Sequence, residues 1–166
     1  TENLRDVIYA NARYLATIAG MLLTGRPDTI AYKLARKEVY VKSANLSAAF
    51  QRMTSEPKSK QRKNKDVHKL VVLNHILSSY LANMTSLLTG KGIKLHPGHI
   101  RLIKRSITTL NETGKLLKGK NVDFATGVIP AATSPLTDDE KLLSEQLGFI
   151  NKISSDIAKI TAQYLQ

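Results

Sequence analysis

Apolar residues recur along this chain at steps of three, four and seven, and nowhere alternate with period two long enough to make a strand. Leu4, Val7, Ile8, Leu15, Ile18, Ala19 and Leu22 form a first stripe. Gly25-Arg26-Pro27 ends that segment, and Asp28 is a good N-cap for the next. Tyr32, Ala35, Val39, Leu46, Ala49, Phe50 and Met53 then share one face. That helix stops near Glu56-Pro57, because proline disfavours the helical conformation in the residue before it.

The third segment is the most regular. Val67, Leu70, Val71, Asn74, Leu77, Ser78, Leu81, Met84, Thr85 and Leu88 make one face, and Leu73, Ile76, Tyr80 and Leu87 extend it onto a second. So wide an apolar arc marks a helix that is central in its bundle or docked against something outside this sequence. Self-association and intramolecular cover by the first and fifth helices are the two readings of it. Gly90 and Gly92 close the segment, and Pro97 suits the first turn of a fourth helix. Ile100, Ile103, Ile107, Leu110, Gly114 and Leu117 follow a three-four alternation. Residues 119–136 read as a long loop, and Thr137-Asp138-Asp139-Glu140 is a capping box. The fifth helix carries Leu143, Leu147, Ile150, Ile153, Ile157, Ile160 and Tyr164. The expectation is an all-α fold: one domain over residues 1–166, an up-and-down antiparallel bundle of about five long helices.

Composition changes this picture in two ways. The chain has 166 residues and no cysteine, which excludes disulfides, thiolate-ligated metals and thiol nucleophiles. It carries 25 Lys+Arg against 13 Asp+Glu, a net charge of +12, which predicts an anionic neighbour. The excess is uneven: residues 91–120 hold eight basic side chains and one acidic, residues 121–166 three and six. Lys58, Lys60, Arg62, Lys63 and Lys65 crowd the 54–65 loop between the second and third helices. Lys91, Lys94, Arg101, Lys104 and Arg105 lie around the start of the fourth. In an antiparallel bundle these clusters fall at opposite ends, unless charge runs along the fourth helix. Solvated loop charge, contact with an anionic membrane surface and nucleic-acid binding are the three readings. The last lacks a motif and aromatic interleaving.

Reactive groups do not assemble along the sequence. His68 and His75 sit two turns apart on one helix, about 10 Å along the axis. His96 and His99 flank a turn with no carboxylate in the same stretch, and read as cap or surface residues. No phosphate-binding loop or nucleophile elbow is present. Asn11, Asn45 and Asn74, on or beside apolar stripes, read as inter-helix hydrogen bonders that set register. The residues therefore predict a non-enzyme that uses neither cofactor nor metal. No run of about 20 apolar residues crosses a bilayer, no signal peptide is visible, and a start at Thr1 reads as a piece of a longer protein.

One stretch goes beyond generic helix. Ala35-Arg36-Lys37 leads into Ala44-Asn45-Leu46-Ser47-Ala48-Ala49-Phe50-Gln51-Arg52-Met53-Thr54-Ser55-Glu56-Pro57 and a basic loop. Leu70-Val71-Val72-Leu73-Asn74-His75-Ile76-Leu77-Ser78-Ser79-Tyr80-Leu81 follows. This pattern, from Tyr32 to Leu88, resembles the soluble C-terminal part of fusaric-acid-resistance-like (FUSC) bacterial inner-membrane proteins of the YccS type, relatives of aromatic-acid exporters. The resemblance implies a cytoplasmic accessory domain at the inner membrane, partnered by the transmembrane segments of its parent protein. It carries no substrate residue over, since that family's transport function lies mainly in its membrane part. The alternative from the residues alone is a soluble basic adaptor for nucleic acid or an acidic protein.

Overall fold

The computed structural model describes residues 1–58, 63–88, 92–124 and 134–166. Among them lie five long helices and no strand: α1 Glu2–Thr24, α2 Thr29–Thr54, α3 Asn64–Met84, α4 Pro97–Leu116 and α5 Asp138–Tyr164. A 3-10 turn, Thr85–Leu88, prolongs α3. The all-α expectation and the five segments hold, and so do the boundary signals at Gly25, Asp28, Pro97 and Thr137, while Gly90, expected to close α3, lies outside the described residues. Gly25 ends α1 in the left-handed conformation at φ 65°, where a side chain would be strained. The Asp28 carboxylate accepts from the Ala31 N–H at 3.1 Å. Pro97 opens α4, and Thr137 and Glu140 cap α5 reciprocally.

Cross-helix contacts give the directions. Arg13–Glu38 at 3.0 Å and Lys42–Asp6 at 3.8 Å climb one helix while descending the other, so α1 and α2 are antiparallel. Tyr80 stacks on Phe149 near one end of α3, and Lys63 just before α3 meets Tyr164, so α3 and α5 are antiparallel. The alternation ends at the last step. His99 meets Ser144 at 2.8 Å, and Ser106 lies 3.5 Å from Asn151. Both numbers rise together, so α4 and α5 run in the same direction. The first residues after α4 are held against it. Asn111 donates from Nδ2 to the Val122 carbonyl and accepts from the Val122 N–H, each at 2.8 Å.

The core explains the order. Helix α1 buries twelve of its 23 residues and packs against α2, α3 and α4. Its Ala10, Ala12 and Ala19 are buried small residues, which let neighbouring backbones approach closely. Centrality therefore belongs to α1 rather than to α3, whose wide arc the sequence made the candidate. The α3 arc is covered largely from within: α5, α2 and α1 pack on it, and Leu70, Leu77, Leu81 and Met84 are wholly buried, while Val72 and Ile76 stay exposed. Helix α2 is peripheral. It buries only Ala35, Val39 and Leu46, and leaves Ile30 75% exposed.

Register between α1 and α3 is set by polar groups inside this core. Asn11 Nδ2 donates to Asn74 Oδ1 at 3.2 Å, and Asn74 Nδ2 donates to the Leu70 carbonyl at 2.9 Å. The Ser78 hydroxyl lies 2.9 Å from Asn11 Oδ1. Sliding α3 by one turn would strand two buried amides without partners. Asn11 and Asn74 thus do what their places on the stripes suggested, whereas Asn45 is exposed.

Truncating the core and the outer face should separate these roles. Leu77→Ala should cost about 2–5 kcal/mol in urea unfolding, because it opens a cavity at a wholly buried site. Ile30→Ala should change stability by less than about 0.5 kcal/mol.

Candidate functional site

Two features could carry chemistry: a buried histidine–carboxylate junction and a basic helix face. The junction forms where α4 and α5 begin side by side. Leu95-His96-Pro97-Gly98-His99 places His96 at the N-cap of α4 and His99 in its first turn. The His96 N–H donates to His99 Nδ1 at 3.0 Å. Since Nδ1 accepts, the proton of this neutral ring sits on Nε2, which points at the Glu140 carbonyl 2.8 Å away.

Glu140 is only 4% exposed and serves both helices. Its Oε1 accepts from the Thr137 N–H at 3.0 Å, closing the capping box of α5. Its Oε2 accepts from the Lys94 N–H at 2.9 Å, and His96 Nε2 lies 3.1 Å from Oε1. The Thr137 N–H first, with the Lys94 N–H and His96, holds this carboxyl at about 2, well below its usual 4.5, while burial pulls the other way. Burial is the main force that pushes the His99 imidazole below its ordinary 6.5, opposed by the Glu140 carbonyl. A carboxylate that stays ionised well below its usual range and a neutral imidazole, both saturated with hydrogen bonds, form a clasp between helix ends. No group of three or more His, Asp and Glu among the described residues could hold a metal.

The sequence placed His96 and His99 as cap or surface residues without a carboxylate. His99 does cap α4, yet both rings are buried, at 8% and 1% exposed, and their carboxylate arrives from more than forty residues downstream. The capping box at Thr137 was visible. That its carboxylate had a second helix to serve was not, because a box reads the same whether or not a neighbour approaches it.

The basic residues separate as the loop positions required. Lys58, Lys63 and Lys65 are exposed at the α2–α3 end, where Lys63 Nζ lies 5.1 Å from the centre of the Tyr164 ring. Lys94 is exposed at the opposite end, about 30 Å away by the length of α3. Lys60, Arg62 and Lys91 lie outside the described residues. Arg101, Lys104 and Arg105 leave the second end and begin a face along α4, which Thr108, Glu112 and Lys115 continue. Lys118 and Lys120 extend it past the helix end. None of these six basic side chains pairs with a carboxylate among the described residues. Lys118 closes α4 in the left-handed conformation at φ 61°. Its N–H reaches the Lys115 carbonyl, and the Gly119 N–H reaches the Gly114 carbonyl at 2.8 Å. Gly119 is needed there, since a Cβ would stand 2.9 Å from Arg5 Cγ. No helix among the described residues is long and apolar enough to cross a membrane.

Compared with known proteins, the chain is 33% identical over 73 residues to the inner membrane protein YccS of Escherichia coli (strain K12). The matched stretch is 44% of this chain and only 10% of that relative's length. No family model matches the chain. No solved structure matches it either.

Removing the clasp should show in the acid limb of stability. A carboxyl whose pKa is lower folded than unfolded stabilises fully above 4.5, and its contribution falls away as pH drops toward 2. His99 adds a loss of the same sign that starts below 6.5, where the unfolded chain takes up a proton and the folded ring resists it. Glu140→Gln should therefore cost about 2–3 kcal/mol at neutral pH and flatten the slope between pH 4.5 and 2, read by urea unfolding across pH.

Proposed function

We propose that this chain is a non-catalytic helical accessory domain of a FUSC-type, YccS-like bacterial inner-membrane protein, lying on the cytoplasmic side with the basic face of α4 against anionic lipid headgroups. The observation that carries the reading is the stretch 33% identical to an inner-membrane protein, in a chain with net charge +12 and an unpaired basic face. Lys and Arg near an anionic leaflet contribute about 1 kcal/mol each, and an excess of them follows the positive-inside tendency of cytoplasmic segments. On this reading transport belongs to the membrane-spanning part of the parent protein, and this domain supports it by packing and by surface charge. The saturated Glu140 clasp fits a structural part better than a reactive one.

Vesicle co-sedimentation tests the surface. The chain should bind phosphatidylglycerol vesicles but not phosphatidylcholine vesicles, more weakly as salt rises. The triple reversal Arg101→Glu, Lys104→Glu, Arg105→Glu should lower that affinity by at least tenfold. Reversing Lys33, Lys37 and Arg52 on α2, an equal change of net charge, should have a much smaller effect. Equal binding to both lipids, equal effects of the two triple variants, or tighter binding to duplex DNA than to anionic vesicles would contradict the reading.

A further inference from the structure

The outer side of the α3–α5 pair is used by neither the clasp nor the basic face. Along it Lys69, Val72 and Ile76 follow one another on α3 at steps of three and four. On α5, Glu145, Phe149, Asp156 and Lys159 do so at steps of four, seven and three. Phe149 is 50% exposed although it stacks on Tyr80 at 5.6 Å, and Val72 and Ile76 are exposed as well. Next to Val72 the two helices part around an open hollow of about 510 Å³, lined by Leu73 and Ile160 and by Lys69 and Lys159. An apolar patch with a charged rim is the ordinary form of a protein contact surface.

The charges on this side divide about its apolar centre. Tyr80 stands beside Phe149 on the antiparallel partner, which fixes the levels of the two helices. Glu145 then lies about 12 Å from Ile76 in one direction along the axis, and Lys69 and Lys159 about 10 Å in the other. Beyond Glu145 come exposed Asp138, Asp139 and Lys141; beyond Lys69 comes exposed Lys65. Asp156 is taken by Lys152 at 3.4 Å, whereas Glu145, Lys69 and Lys159 have no ion pair among the described residues. One end of the face is therefore acidic and the other basic, at equal distances from its centre.

That symmetry says what covers the face. A two-fold axis through the Ile76 level turns the basic end of one copy onto the acidic end of the other, and each contact occurs twice. A foreign partner would require no such balance. The outer stripe of α2, with Ile30, Leu34 and Val41 exposed, lacks it. Lys33 and Lys37 flank that stripe, and its Glu38 is held by Arg13 at 3.0 Å, so two copies would oppose like charges.

We propose that the chain pairs with a second copy of itself through the α3–α5 face, antiparallel, with Val72, Ile76 and Phe149 at the centre and Glu145 of each copy against Lys69 and Lys159 of the other. The face is two helices wide and about 30 Å long, the scale of a standard interface of about 800 Å² per partner. Exposed ion pairs add little affinity, so the apolar centre holds the dimer and the charges set its register. The proposal does not rest on the membrane reading, and vesicle binding decides neither outcome.

Sedimentation of the 166-residue chain at about 0.1 mM tests it, since a weak specific contact is populated there. The expected species has twice the 18.3 kDa chain mass. Ile76→Lys should abolish it with the helical circular dichroism unchanged, and Leu34→Lys on α2 should leave it intact. Glu145→Lys alone, and the pair Lys69→Glu with Lys159→Glu alone, should each weaken the dimer at least tenfold. Mixing those two variants should restore it, because every altered charge then meets its opposite. A monomer at that concentration would overturn the proposal and assign the face to a different chain. A dimer that survives Ile76→Lys but not Leu34→Lys, or no recovery on mixing, would overturn it too.

Discussion

One carboxylate, Glu140, caps the start of α5 and ties it to the segment that leads into α4. Helix N-termini carry unsatisfied N–H groups and partial positive charge, so bringing two of them together is unfavourable unless something negative sits between. Glu140 is that group. It takes the Thr137 N–H from its own helix and the Lys94 N–H from the approach to α4. The two histidines complete the enclosure, one beside the carboxylate and one under the Glu140 carbonyl. The parallel start of α4 and α5 depends on this arrangement, and much of the architecture follows from it.

Because α5 starts beside α4, the connection between them joins opposite ends of the bundle. Asn111 anchors the first part of it along α4 by a two-point clamp on Val122. With α1 and α5 packed on its inner sides, α4 keeps its remaining side in solvent. That side carries Arg101, Lys104, Arg105 and Lys115, with Lys118 and Lys120 beyond. A basic face of this kind gains little by folding, since none of its charges finds a carboxylate partner among the described residues, and exposed like charges repel. Lys118 even occupies a left-handed position where glycine costs less. The expense is best understood through an external anion, which is why the membrane-facing reading rests on α4 rather than on the two loops.

How much of this could be read without coordinates depended on whether a signal was local. The five helices, the Asp28 cap, the Gly25 stop, Pro97 at the start of α4 and the Thr137–Glu140 box each follow from a few neighbouring residues, and each appears. The relation between helices was less accessible. Four residues separate α1 from α2 and force a reversal, but 21 residues lie between Leu116 and Asp138. A chain of that length can span about 70 Å when extended, enough to return along a helix of about 30 Å, so α5 was free to run either way. Centrality misled for a related reason. The arc of α3 is wide because α5, α2 and α1 each cover part of it, whereas α1 hides its centrality behind alanines that look unremarkable on a helical stripe. The resemblance over Tyr32–Leu88 was visible because it lies in one continuous run.

The direction of α5 is the claim on which the clasp, the crossover and the free basic face all rest. The chain has no cysteine, so pairs of spin labels can be introduced cleanly at exposed positions. Labels at Arg101→Cys and Glu145→Cys, compared with Arg101→Cys and Lys159→Cys, report it by pulsed electron resonance. Fourteen residues separate the two α5 sites, about 21 Å along the helix. The parallel arrangement predicts a short distance for the first pair and one longer by at least roughly 10 Å for the second. The opposite order, with Arg101 nearer to position 159, would contradict it.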